Sequence, residues 1–124
     1  MLAERRREKL TPGQRLTRRP DYLAVQERGR RISGSSYLLL ALARTGAPQR
    51  SGARLGITVS KKVGKATVRN QVKRWVRESY RRMSDLAPPG LDLVVVARAT
   101  AVTSGFTGTS TELRGLLGRL RSVR

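Results

Sequence analysis

The longest apolar run in the chain is Leu38 to Ala43, and with Tyr37 ahead of it the stretch offers no polar side chain to water. It falls far below the roughly 20 residues that span a bilayer. Such a run predicts a strand covered on both faces. Residues 55–60, Leu-Gly-Ile-Thr-Val-Ser, alternate instead, so Leu55, Ile57 and Val59 point one way. Residues 91–97, Leu-Asp-Leu-Val-Val-Val-Ala, predict a third strand. At 124 residues the chain fits one domain, and with 4% aromatic content its core must be mostly Val, Leu, Ile and Ala.

Helices are expected around these strands. Pro20 suits a first helical turn, and residues 21–28 predict a short helix with Tyr22 and Val25 near one face and Gly29 as its stop. Residues 28–31 read as a basic connector and 45–52 as an exposed turn. The clearest helix covers 68–83, where Val68, Val72, Trp75, Val76 and Met83 share one stripe interrupted only by Ser79. Thr67 is its expected cap and Trp75 a core residue. Residues 103–110, rich in Gly, Ser and Thr, predict a loop, and 111–121 a final helix burying Leu113, Leu116, Leu117 and Leu120. Residues 1–14 read as a flexible basic arm ahead of a single domain over 15–124. Strands, helix, strand and helix in that order describe an α+β fold with helices packed on a small sheet.

Charge narrows the function. There are 27 Lys plus Arg against 8 Asp plus Glu, a net +19, so a polyanion is the natural partner and nucleic acid the first candidate. With no His and no Cys, Ser-His-Asp and Cys-His nucleophile systems, the usual zinc ligand sets and disulfides are excluded. Between Arg54 and Arg82 lie ten basic residues and one acid, Glu78. A solvated helix face interleaves signs for i,i+4 pairing, and this one does not. Lys61, Lys62, Lys65 and Arg69 also crowd the positive end of the helix dipole, a cost that a bound phosphate reverses. The chain uses 22 Arg and five Lys, and four of those Lys lie between Lys61 and Lys73. Asp85 and Asp92 flank a Pro-Pro-Gly turn and read as turn and solubility residues. No apolar stretch follows the basic start, so a cytoplasmic location without membrane partners is expected. On these features alone, a small ribosomal protein, an RNA chaperone and a DNA-binding module remain open.

The segment Val59-Ser-Lys-Lys-Val-Gly-Lys-Ala-Thr-Val-Arg-Asn-Gln-Val-Lys-Arg-Trp-Val-Arg-Glu78 resembles the signature of the bacterial ribonuclease P protein subunit. That signature has the form Ser-Lys-Lys-Val-Gly-x-Ala-x-x-Arg-Asn-x-x-Lys-Arg-x-x-Arg-Glu, and every specified position matches. A looser resemblance runs from about Arg15 to Leu120. It implies a ribosomal-protein-like two-layer sandwich: a small, mostly antiparallel sheet of about four strands, three helices and a β-α-β crossover.

The resemblance further implies a protein cofactor of a catalytic RNA that removes the 5′ leader of precursor tRNA. The RNA and its Mg2+ ions perform the hydrolysis, so the enzyme is an endoribonuclease whose protein subunit is inactive alone and has no catalytic or metal-binding residue. Partners are then the RNA subunit and precursor tRNA, with no obligate protein partner. The residues expected on the RNA subunit are Lys61, Lys62, Lys65, Arg69, Asn70, Lys73, Arg74, Arg77 and Arg81. Those expected on the leader are Tyr22, Arg18, Arg19 and Tyr37, because an aromatic face accepts any base. Two positions depart from the family pattern: Gln26 and Leu40 stand where aromatics are frequent.

Overall fold

The three predicted strands and one more form a single mixed open sheet. Its order is β1-β2-β4-β3, with β1 Arg30–Ser33, β2 Tyr37–Ala43, β3 Arg54–Val59 and β4 Leu91–Ala97. The computed structural model describes residues 14–44 and 52–122. The expected arm over 1–14 and turn over 45–52 lie outside the described residues, apart from Gln14 and Gly52.

The most apolar strands take the centre. β2 and β4 pair antiparallel from Tyr37 opposite Ala97 to Ala43 opposite Leu91. β1 adds antiparallel to β2, and β3 lies parallel to β4. A parallel pair requires a long crossover. Here it consists of a 3-10 turn, Lys61–Val63, and an 18-residue helix, Ala66–Met83. In chain order the helices are α1 (Arg19–Arg28), α2 (Ala66–Met83) and α3 (Ala101–Ser122).

Side-chain alternation divides the core in two. Leu39, Ala41, Leu93 and Val95 meet Val72, Val76 and Met83 of α2 and Leu113, Leu116 and Leu117 of α3. From the opposite face, Leu38, Leu40 and Val94 meet Val25 of α1 and Leu16. The α+β class and the crossover are as expected, with α1 placed by itself on the second face. The free edge of β3 is partly covered by Arg15, which bridges to Leu55, and by Leu16, whose N–H donates to the Leu55 carbonyl (2.9 Å).

Three local expectations are corrected. β1 begins inside the basic connector, at Arg30, and is invisible to hydrophobic patterning because only Ile32 of its four residues is buried. Thr67 is not a cap: α2 starts at Ala66, with Lys65 at the N-cap and no side-chain cap bond. Residues 103–110 are helical rather than a loop. Thr109 is fully buried, and its hydroxyl shares a 2.7 Å hydrogen bond with the Tyr37 hydroxyl. Ser104 and Ser36 share another at 3.1 Å, while the Glu112 carboxylate accepts from the Ser36 and Tyr37 N–H groups at 3.0 and 2.7 Å. These bonds tie α3 to the β1–β2 turn. The polar residues that suggested a loop satisfy that turn instead.

The loop expectation survives at one residue. Gly105 breaks α3 with φ 66° and ψ −173°, a region that essentially only glycine occupies. A Cβ there would meet nothing within 4 Å, so the cost of Gly105→Ala is confined to the backbone. Gly105→Ala is expected to lower stability by about 1–3 kcal/mol, a melting shift of about 3–10 °C. Gly118→Ala, in the regular and open part of the same helix, should leave the melting temperature equal or slightly higher. Thermal circular dichroism on both variants checks this. An unshifted midpoint for Gly105→Ala contradicts it.

Candidate nucleic-acid interface

Helix α2 presents different chemistry on the two sides of its buried stripe. At 100° per residue Arg69, Lys73 and Arg77 fall on one flank, Thr67, Gln71, Trp75 and Glu78 on the other, and Asn70, Arg74 and Arg81 along the outer crest. Its first turn contains no acid, and Lys61, Lys62 and Lys65 are exposed just before it. The backbone N–H groups and the ammonium groups thus present one sign of charge, a ready anion site. Arg69 is half-buried, and its Nε donates to the Gly64 carbonyl at 3.2 Å, which holds the guanidinium over that turn.

The Arg69 flank borders a cleft. Arg15, Leu16, Tyr22, Ile57, Lys73 and Arg77 surround a space of about 250 Å3 between α1, the β3 edge and α2. Tyr22 is half-buried, and its hydroxyl accepts the Ile57 N–H at 3.1 Å. Its ring can approach the sheet because residue 56 is glycine: a Cβ there would stand 2.5 Å from Tyr22 Cζ. An isolated glycine in a strand pattern signals such an approach. Tyr22 is therefore both a packing residue and a cleft wall. The cleft continues into a second hollow of about 330 Å3 lined by Arg19, Tyr22, Leu23, Gln26 and Thr58. Arg18 is the exposed N-cap of α1.

Tyr37 does not belong here. It is 1% exposed in the core on the other side of the sheet, so the expectation that it lines the leader cleft is corrected. Burial pushes its hydroxyl above the ordinary phenol range, with Thr109 hydrogen bonding partly opposing that shift. Leu40, in the position where the family often has an aromatic, faces the Tyr22 side but is 2% exposed. Arg15 was missed by sequence reasoning because it sits at the expected arm boundary and carries no pattern of its own.

On the other flank of α2 a groove of about 490 Å3 is lined by Asn70, Gln71, Arg74, Trp75, Glu78 and Phe106, among others. Trp75 packs against the main core but is only partly buried, so it is a groove wall as much as a core residue. Phe106 follows the Gly105 break, and the Arg82 guanidinium lies 5.4 Å from its ring centre. Nothing in the sequence pairs Phe106 with Trp75; only the break in α3 brings them together.

The acids hold the fold. Asp92, read from sequence as a turn and solubility residue, is 5% exposed and takes a bidentate pair from Arg54 (both N···O distances 2.8 Å). Arg44 Nη1 approaches the same carboxylate at 3.3 Å, and Asp21 lies 3.5 Å from Arg54. The Asp92 hydrogen bond raises the Arg54 pKa above its ordinary value. Glu78 pairs with Arg74 at 3.0 Å. Among the described residues no group of three or more His, Cys, Asp or Glu is placed to hold a metal ion, and no helix is long and apolar enough to cross a membrane. The arrangement can bind a polyanion and stack bases.

Comparison with known proteins gives a consistent result. Residues 10–121 match the family model for Ribonuclease P. The chain is 41% identical over 108 residues to the Ribonuclease P protein component of Geobacter sp. (strain M21), spanning 87% of this chain and 89% of that one. The corresponding protein of Thermotoga maritima is 40% identical over 91 residues, 73% and 74% of the two chains. The solved RNase P protein from Thermotoga maritima superposes with TM-score 0.74 at 35% identity, covering 85% of this chain and 96% of that one. The Staphylococcus aureus RNase P protein superposes with TM-score 0.78 over 90% and 98% of the chains; at 23% identity it speaks for the fold. With the signature unbroken along the 3-10 turn and α2, and this sheet beneath it, the chain belongs to the Ribonuclease P family.

Proposed function

We propose that the protein is the RNA-binding subunit of a ribonuclease P ribonucleoprotein, and that it holds the catalytic RNA and the 5′ leader of precursor tRNA on adjoining surfaces. The observation that carries this is the convergence of Tyr22, Arg15, Lys73 and Arg77 on one cleft beside the basic start of α2. An aromatic face flanked by cations fits a single strand, whose bases stack while its phosphates are neutralised.

The exposed Lys61, Lys62 and Lys65, with Asn70, Arg74 and Arg81 on the crest, face outward as one surface for the RNA subunit. Lys73 and Arg77, on the flank turned toward Tyr22, stand where that surface meets the leader cleft. Arg18 and Arg19 approach the leader from α1. Hydrolysis belongs to the RNA in this reading. Among the described residues Asp21, Asp92, Glu78 and Glu112 have structural partners, and no three acids gather in one place. No cluster among the described residues fits a magnesium site, so Mg2+ belongs to RNA phosphates in this reading. Such an assembly works in the cytoplasm, where precursor tRNA is made and matured.

Two outcomes test this division. Tyr22→Leu keeps apolar bulk over Gly56 but removes the stacking face. It should weaken binding of leader-bearing tRNA by about 1–3 kcal/mol, measured on the assembled ribonucleoprotein, while leaderless tRNA binds as before. Equal weakening of both substrates would assign Tyr22 to packing only.

Replacing Lys73 and Arg77 by Ala should likewise act selectively on leader-bearing tRNA and flatten its salt dependence by about 0.7 units of slope per lost phosphate contact. Replacing Lys61, Lys62 and Lys65 by Ala should weaken the RNA subunit whether or not a leader is present. If the pair and the triad act alike on every RNA, the surfaces are not separate.

A further inference from the structure

The groove on the far flank of α2 adjoins the crest surface through Asn70 and Arg74, and it has the composition of a nucleobase site. Its walls are Trp75 and Phe106, both partly buried. Asn70 and Gln71 stand at its rim with amide groups that both donate and accept hydrogen bonds. Its volume, about 490 Å3, lies within the range of small-ligand sites. Resting on the RNA-binding reading of α2, we infer that this groove takes one unstacked base of the RNA subunit, inserted against Trp75 while the strand's phosphates stay on the basic crest.

Charge decides why the occupant is a base. The groove's ionic residues are one cation and one anion, Arg74 and Glu78, and they pair with each other at 3.0 Å. A phosphate inside would meet the Glu78 carboxylate, the single acid of α2. Outside the groove, the crest of the same helix carries Arg81, with Arg77 next to it toward the other flank, and Arg82 lies over the Phe106 ring. A neutral aromatic heterocycle inside and a phosphodiester outside is therefore the complementary arrangement, and one nucleotide supplies both. An apolar peptide would fill the aromatic walls but leave the surrounding positive charge unanswered.

The geometry has its own local origin. Gly105, with φ 66°, ends the first turn of α3 and lets the helix restart at Phe106. Arg82, at the last turn of α2, holds the Phe106 ring from outside at 5.4 Å. The groove is thus a product of the α2–α3 junction and does not depend on Tyr22 or the leader cleft.

Trp75 is the only tryptophan in the chain, so its emission reports on the groove directly. The experiment titrates the full-length protein with the RNA subunit transcript, following complex formation by gel shift and Trp75 by fluorescence and acrylamide access. The expected result is quenched emission and lowered acrylamide access on complex formation, as for an indole stacked on a base. Phe106→Ala should weaken the complex by about tenfold, the effect of losing one stacking wall, and Phe106→Tyr should restore it. A melting temperature unchanged between these two variants shows that the difference is not one of folding.

A complex that forms with Trp75 emission and acrylamide access unchanged overturns the inference and leaves RNA binding by α2 intact. So does emission that brightens and shifts to the blue without quenching, which reports burial under RNA with no base inserted. Absence of any complex overturns the RNA-binding reading itself.

Discussion

Strands β2 and β4 are paired along their whole length and covered on both faces, and every other element has its position set by that pair. Because Leu38, Leu40 and Val94 face one way and Leu39, Leu93 and Val95 the other, the sheet needs a cover on each side. The long helices α2 and α3 supply one cover, and α1 with Leu16 supplies the other. The parallel addition of β3 then forces the chain to cross the sheet through α2. The crossover places the most basic segment of the sequence on top of the domain, with the β3 edge and α1 beside it. The cleft beside Tyr22 lies where these covers meet.

A chain with 27 cations and 8 acids cannot neutralise itself, and the placement of its acids determines where positive charge remains. Asp92 is buried beneath Arg54 and Arg44 at the β4 end, with Asp21 close by. Glu112 is committed to backbone N–H groups of the β1–β2 turn. Removing one partner from the Asp92 cluster would strand a buried charge, which is far more costly than the net worth of the pair. These acids are thus committed to partners other than the cations of α2. The α2 surface keeps its repulsion until a polyanion arrives, and binding energy and salt sensitivity follow from that.

The sequence exposed those parts of the fold whose burial is periodic. Residues 37–43 and 91–97 form strands with the expected bounds, and 68–83 lies within α2, because each has a continuous or striped apolar pattern. β1 was hidden: as an edge strand with one buried residue it has almost no pattern to read. The helical stretch through Thr109 was hidden for the opposite reason, since tertiary hydrogen bonds to Tyr37 and Ser36 override what its Ser and Thr prefer locally. The basic surface could be read from charge, and the signature gave its family. What could not be read was which residues share a hollow. Tyr22 and Tyr37 look alike in sequence, but strand alternation buries one in the core while Gly56 admits the other to the cleft wall.

The central claim is that this protein carries no chemistry of its own and makes an RNA competent at cutting precursor tRNA. Its most direct test mixes purified protein, the cognate RNA subunit and precursor tRNA at low magnesium, and follows release of the 5′ leader. The account predicts cleavage at the mature 5′ end only when both protein and RNA are present. Site-specific leader removal by protein freed of RNA would contradict it, as would RNA activity that the protein leaves unchanged.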